Sequence, residues 1–205
     1  MISSIVADRV RGRLHRVGEF VARTRLSPNA LTVIGFFLNF GVALVIASGH
    51  LRLAGVLALL AGAFDMLDGA VARATRRVTR FGGFLDSTLD RYSEAVLVGG
   101  LLVHILRAGL GEVAVLLCYA TIVGSLMVSY ARARAEAAGV PLTAGLFARP
   151  ERIVVLALFL LLNRPVWVLW ILAIATNLTV LQRTYLMWRR SRALDRPQQP
   201  GTPRG

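Results

Sequence analysis

Lysine is absent from this chain: all 24 basic residues among its 205 are arginine, set against 11 acidic residues, for a formal charge of +13. There is a single cysteine, Cys118, inside an apolar run, so no intrachain disulfide can form and a buried packing role is expected. The three histidines, His15, His50 and His104, are scattered and need no catalytic role. No phosphate-cradling P-loop and no Ser-His-Asp arrangement is visible. Long polar stretches are also scarce. The chain is 56% hydrophobic, with a mean hydropathy of +0.62. That excludes an ordinary soluble domain, and the length excludes several domains. A nucleic-acid-binding role does not follow from the charge, because the arginines are scattered between apolar segments. Arginine suits a forked grip on phosphate and attraction to an anionic lipid surface. A GC-rich coding bias would leave the same count with no functional meaning, and composition does not separate the two.

The pattern along the chain predicts an all-α integral membrane protein with six transmembrane helices, preceded by an amphipathic interfacial helix. In residues 1–26, Ile2, Val6, Val10, Leu14, Val17 and Val21 recur at helical spacing, with Arg9, Arg11, Arg13 and Arg16 among them. A soluble basic extension is the other reading of this arm. A cleavable signal peptide is not expected, because the first long apolar stretch begins only near Leu31 and lacks a small-residue cleavage site. Residues 27–190 form the catalytic domain, with spans of about twenty residues each. They cover about 29–48, 53–73, 82–106, 110–131, 147–163 and 166–187. The fifth is the weakest, because its apolar core is short. Ser27 is placed to cap the first and Pro28 to open it. Residues 191–205, rich in Pro, Gln and Gly, read as a disordered tail. Arginine is concentrated in the N-terminal arm, in 73–80, in 132–152 and in the tail. The positive-inside rule therefore puts both termini and these loops in the cytoplasm, in a plasma-membrane protein.

Against so few acids, the stretch holding Asp65, Asp68, Asp86 and Asp90 stands out. Carboxylates in or beside a span are costly and default to a functional reading. Asp65 and Asp68 share a face near the end of the second span, and Asp86 and Asp90 share a face near the start of the third. A short connection makes these spans antiparallel neighbours, so the pairs can converge at similar depth. Four such carboxylates repel one another unless cations stand between them. One or two divalent ions bound by oxygen ligands, Mg²⁺ foremost with Mn²⁺ as an alternative, answer that need and leave positions for substrate phosphates. Ion pairs with the abundant arginines would answer it too. Gly69 and Gly82 permit close approach of a ligand or another helix. Arg73, one turn beyond Gly69, is placed to meet a phosphate.

Asp65-x-x-Asp68-Gly69-x-x-Ala72-Arg73, eight residues, then Gly82-x-x-x-Asp86-x-x-x-Asp90 matches the signature of the CDP-alcohol phosphatidyltransferase family at every fixed position. Ser27-Pro28-Asn29-Ala30-Leu31-Thr32 also resembles the family's Pro-Asn-x-Leu-Thr stretch. The span layout extends the likeness over nearly the whole chain. The resemblance implies that the four aspartates hold divalent metal on a CDP-linked lipid. It makes Asp65, Asp68 and Asp86 mainly ligands, and Asp90 both a possible ligand and the general base. It implies nucleotide or CDP-lipid contacts from Asn29, Thr32, Gly69, Ala72, Arg73, Thr79 and Gly82. For Asn29, Thr32 and Thr79, helix capping or packing stays open. A homodimer is implied as well.

The acceptor is addressed by a second constellation, Ser129-Tyr130-Ala131-Arg132-Ala133-Arg134-Ala135-Glu136 followed by Arg149-Pro150-Glu151-Arg152. Arginines at two adjacent helix ends suit an anionic acceptor, although membrane anchoring explains them equally by charge alone. The region resembles the branch of the family that transfers to inositol phosphate, together with its archaeal counterpart acting on CDP-archaeol. That likeness implies an acceptor-phosphate site at Ser129, Arg132, Arg134 and Arg152, with Arg192 a weaker candidate. One departure is Ala148, where the family often carries an acid. A relative using glycerol 3-phosphate, and an ion-coupled transporter with intramembrane carboxylates, are the alternatives. The transporter would favour acids at the bilayer midplane.

Overall fold

The computed structural model describes residues 27–74, 79–140, 142 and 147–194, without the side chains of 66–74 and 193–194. The expected interfacial helix of residues 1–26 and the tail beyond Leu194 lie outside the described residues. Six helices follow in order: α1 Pro28–Ala47, α2 Leu51–Ala74, α3 Arg80–Ala108, α4 Glu112–Ala137, α5 Arg149–Leu161 and α6 Pro165–Leu194. No strand occurs among the described residues.

The helix starts follow local chemistry. The Ser27 hydroxyl accepts from the Ala30 amide at 3.2 Å, and Pro28 fills the first turn of α1, where its missing N–H is not needed. The Thr79 hydroxyl likewise accepts from the Gly82 amide at 2.9 Å to open α3. Four helices end in left-handed residues, Gly49, Gly109, Gly139 and Asn163, with φ of 85°, 62°, 75° and 56°. In each the next amide reaches back five residues: His50 to Val45, Leu110 to Ile105, Val140 to Ala135 and Arg164 to Phe159. This closure satisfies carbonyls that the helix end would otherwise leave bare.

Three of these closures sit in three-residue connections, 48–50, 109–111 and 162–164, and the helices on either side pack together. The chain is therefore three antiparallel hairpins, α1–α2, α3–α4 and α5–α6. Further packing of α1 on α3, α2 on α5 and α4 on α6 closes a ring in the order α1, α2, α5, α6, α4, α3. α2 and α3 are therefore not the neighbours expected from their short connection, because α1 packs on both and separates them. The three tight turns gather at one end. The ends of α2, α4 and α6 and the starts of α1, α3 and α5 gather at the other.

The core of the ring is built from small and branched residues. Ile46, Ala54, Ala58, Leu97, Leu101, Ala157, Leu160, Val168 and Leu169 are buried, and Cys118 is buried among them as expected. Glycine sets the closest approaches. A Cβ at Gly100 would stand 2.5 Å from the Ala43 carbonyl oxygen, and one at Gly124 would stand 2.2 Å from the Thr176 hydroxyl. Outside the ring, Phe37, Leu60, Leu116, Trp167 and Leu181 are each more than 60% exposed. An apolar exterior of that kind suits lipid as solvent.

The helix bounds differ from the predicted spans in two places. α4 runs six residues past the predicted Ala131, so Arg132, Arg134 and Glu136 ride on a helix rather than a loop. α6 continues to Leu194, so Arg192 belongs to its last turn and not to the tail, where it lies 4.4 Å above the Trp188 ring. Among the described residues three helices are long and apolar enough to cross a membrane: Pro28–Ala47, Glu112–Ala137 and Pro165–Arg192. α5 has only 13 residues, about 20 Å of helix against a hydrocarbon core of about 30 Å.

Candidate active site

At the end of the ring away from the tight turns, α2, α3, α4, α5 and α6 bring polar side chains together. A cavity of about 510 Å³ opens there, lined on α3 by Asp86, Asp90, Arg91 and Glu94, on α4 by Ser129, Arg132 and Glu136, on α5 by Arg149 and Arg152, and on α6 by Arg183. Asp86, Asp90 and Glu94 recur every four residues and so fall on one face of α3. Steps of three and four residues likewise put Ser129, Arg132 and Glu136 on one face of α4.

Asp65, from α2, meets this wall through Arg149. One guanidinium nitrogen, Nη2, lies 2.7 Å from Asp65 Oδ2, and the other, Nη1, lies 2.7 Å from Asp90 Oδ1. The acids of α2 and α3 thus converge on one positive group. α1 supports Asp65 from behind: Asn39 Nδ2 lies 3.4 Å from its Oδ2, and a Cβ at Gly35 would come within 2.6 Å of its Oδ1. The side chains of Asp68, Gly69, Ala72 and Arg73 are outside the described ones, and their positions are fixed only to the last turns of α2. Among the described residues no three acids, histidines or cysteines gather closely enough to hold a metal ion. The donor set nevertheless fits a hard divalent cation. It is all oxygen, and Asp65 and Asp90 already accept a shared cation between them.

The residues expected to hold the nucleotide come together only in part. A Cβ at Gly82 would lie 2.9 Å from both Asn29 Oδ1 and Thr79 Oγ1, so these three residues adjoin where α1 and α3 begin. Thr79 caps α3, and the Thr32 hydroxyl donates to the Pro28 carbonyl at 3.1 Å. The helix capping kept open from the sequence is therefore present at Thr79, and Thr32 bonds back to its own helix.

Of the expected acceptor-phosphate residues, Ser129, Arg132 and Arg152 line the cavity. Arg134 is exposed in the last turn of α4, about 200° round the helix from Arg132, and does not line it. Arg192 is exposed at the end of α6 and does not line it either. Arg132 is half-exposed and pairs with Glu136 at 2.8 Å. Arg152 is 3% exposed. Its Nε and Nη2 meet the two Glu94 oxygens at 2.5 and 2.8 Å, and its Nη1 donates to the Phe147 carbonyl at 3.0 Å. Glu94, reaching across from α3, is thus the acid that orients Arg152.

Two residues were missed by the sequence reading. Glu94 carried a readable signal, one helical turn beyond Asp90. Arg183 carried a weaker one, a lone arginine within an apolar span. It is 5% exposed, its Nη1 donates to the Val128 carbonyl at 2.5 Å, and its Nε is buried with no hydrogen-bond partner. The Nε of Arg149 is buried and unpartnered as well. Unsatisfied guanidinium donors beside a cavity are costly and call for an anion.

Fold and site together define a helical membrane protein with a carboxylate cluster facing an arginine cluster across one cavity, a class suited to moving phosphorylated groups at a bilayer surface. Residues 25–181 match the CDP-alcohol phosphatidyltransferase family, and the chain belongs to it. It is 37% identical over 183 residues to the archaetidylinositol phosphate synthase of Pyrococcus horikoshii, covering 89% of this chain and 94% of that one. It is 40% identical over 178 residues to the phosphatidylinositol phosphate synthase of Corynebacterium glutamicum, covering 82% and 80%. The crystal structure of the Mycobacterium tuberculosis phosphatidylinositol phosphate synthase with CDP-DAG bound superposes with a TM-score of 0.81 at 30% identity, over 91% of this chain and 98% of that one. A second structure of that enzyme, in complex with manganese and citrate, gives a TM-score of 0.79.

Proposed function

We propose that this enzyme transfers the phosphatidyl group of CDP-diacylglycerol, or the corresponding group of CDP-archaeol, to a hydroxyl of inositol phosphate, releasing CMP. The observation that carries the reading is the two-sided cavity. Asp86 and Asp90 stand on one wall, and Arg132, Arg152 and Arg183 stand on the walls facing the acceptor side. A reaction between a diphosphate-linked lipid and a second phosphorylated molecule needs both signs of charge in one chamber. A free polyol would leave the arginines to be desolvated without a partner.

In this scheme Asp65, Asp68, Asp86 and Asp90 hold one or two divalent ions, Mg²⁺ or Mn²⁺, which neutralise the diphosphate and act as Lewis acid. Asp90 takes the proton of the acceptor hydroxyl. The acceptor oxygen bonds to the lipid-bearing phosphorus, and the bond from that phosphorus to the CMP oxygen breaks. Asn29, Thr32, Gly69, Ala72, Arg73, Thr79 and Gly82 make the nucleotide side. Ser129, Arg132, Arg152 and Arg183 hold the acceptor phosphate and so place its sugar hydroxyl near Asp90. Arg183 enters on the strength of its burial and spare donor. Arg134 and Arg192 are left to the positive face of the membrane. All six helices take part in the membrane domain, with the cavity and both termini cytoplasmic by the positive-inside rule, and the active form is a homodimer.

The test is an acceptor panel with labelled CDP-diacylglycerol and Mg²⁺: inositol phosphate, inositol, glycerol 3-phosphate and serine. Inositol phosphate is expected to support CMP release and the others poorly. Equal turnover with glycerol 3-phosphate would move the enzyme to another branch of its family. The absence of metal-dependent CMP release with any acceptor would remove the transferase reading altogether.

A further inference from the structure

We infer that Arg149 is a built-in counter-ion that holds the place of the divalent cation, and that it must let go of Asp65 and Asp90 before metal can bind. The inference rests on the metal-dependent reading above. It concerns a residue to which the sequence assigned no individual part.

Arg149 opens α5, and its side chain is about three-quarters buried. Its fork spans two helices, with one Nη on Asp65 of α2 and the other on Asp90 of α3, each at 2.7 Å. Both carboxylates are largely buried, with side-chain exposures of 16% and 24%. Two largely buried acids held on one guanidinium need a positive charge, and Arg149 supplies it. These are two of the oxygen ligands that a divalent ion requires. An arginine cannot share them with a metal, because it cannot be deprotonated to relieve the clash of charge. Metal loading and the Arg149 bridge are therefore antagonistic.

The spare donor gives the displaced arginine somewhere to go. Arg149 Nε is buried with no partner, and the residue lines the cavity in which phosphate groups are expected. Once metal holds the carboxylates, the guanidinium is free to turn its donors onto a substrate phosphate. Arg149 then serves two parts, counter-ion to the carboxylates and, once metal replaces it there, anion ligand.

The sign of one measurement decides the matter. Mn²⁺ binding to the purified enzyme, without substrate, is followed by electron paramagnetic resonance or calorimetry for wild type, Arg149→Gln and Arg149→Lys. Loss of two partly exposed ion pairs that compete with metal should tighten Mn²⁺ binding in Arg149→Gln by roughly five- to thirtyfold. Arg149→Lys keeps the charge without the fork and should fall between. Turnover should drop in both, since a phosphate contact is lost. Unchanged or weaker Mn²⁺ binding in Arg149→Gln would overturn the inference and make Arg149 a support for the metal site. If Arg149→Gln does not fold, Arg149→Lys carries the same test through the rise in its thermal midpoint on adding Mn²⁺, which should exceed that of wild type. A wild type that binds Mn²⁺, with variants showing no gain, sinks the role of Arg149 alone. Absence of Mn²⁺ binding in all three proteins sinks the metal reading with it.

Discussion

Four arginines at the end of the ring away from the tight turns differ in burial and partners, and the differences forecast separate effects on stability and on acceptor use. Arg152 is nearly enclosed and forked onto Glu94, so Arg152→Ala leaves a carboxylate buried without its partner. Breaking a buried pair in this way costs about 3–5 kcal/mol. On the proposed function the same change also removes a charge-assisted contact to the acceptor phosphate, for an expected loss of roughly 1.5–3 kcal/mol, or a ten- to hundredfold rise in the acceptor KM. Arg183 is equally buried, but its recorded bond is to the neutral Val128 carbonyl and its Nε is unsatisfied. Arg183→Ala should therefore lose the acceptor contact at little cost in stability. Arg132 pairs with Glu136 in the open, a contact worth about 0–1 kcal/mol, so Arg132→Ala should shift the acceptor KM and leave the thermal midpoint in place. Arg134→Ala should change neither. The assay pairs steady-state kinetics, varying inositol phosphate at saturating CDP-diacylglycerol, with thermal unfolding in detergent. If Arg134→Ala raises the acceptor KM as much as Arg183→Ala does, the cavity is not the acceptor site. If Arg183→Ala and Arg132→Ala both keep normal acceptor kinetics, the arginines serve only topology.

Asp90→Asn should reduce turnover by at least about two orders of magnitude while CDP-lipid binding survives; near-normal turnover would take the base role away from Asp90. Gly35→Ala should push Asp65 from its seat, so Mn²⁺ affinity and turnover should fall together, and an unchanged metal titration would show that the contact yields at no cost. Gly100→Ala forces a Cβ against the Ala43 backbone and should destabilise by about 1–3 kcal/mol. Gly41→Ala, with nothing within 4 Å, should be neutral or slightly stabilising, and the two midpoints measured side by side check the packing. Cysteines placed near Arg76 and Arg196 in a Cys118→Ala background should label from the cytoplasmic face alone, and labelling of the first from outside would invert the proposed orientation.

What the sequence revealed and what it hid divide along the range of the interactions. Helix starts and hairpin turns depend on residues a few positions apart, so Ser27, Pro28 and the Asp65–Asp90 spacing could be read directly. The expectation that a short connection makes the second and third helices neighbours fails, because α1 packs between them and their acids meet only through Arg149 of α5. Helix ends at the arginine-rich end of the ring are harder to read, because arginines that look like loop charges can continue a helix into water. That is how α4 and α6 came to be drawn too short, and how Arg134 came to be grouped with Arg132. Adjacent in sequence, the two face opposite ways once both stand on a helix. Glu94 and Arg183 depend on contacts between residues more than fifty positions apart. No local rule pairs α3 with α5 or α4 with α6.

The ring order explains why the site needs those distant contacts. α2 and α3 carry the aspartates but do not adjoin in the ring, since α1 stands between them on one side and α4, α6 and α5 close the other. Two walls of like charge facing across a gap would drift apart unless something of opposite sign crosses it. Arg149 crosses at the level of Asp65 and Asp90, and Arg152 crosses one turn deeper, to Glu94. Both come from α5, the shortest helix, whose first turn is thus inserted as a positive wedge between the aspartate helices. Its limited length becomes intelligible on this view. α5 is anchored by packing on α2 and α6 along its apolar face and by Arg152 on Glu94, so its first turn stays between the aspartate helices even when Arg149 lets go of Asp65 and Asp90.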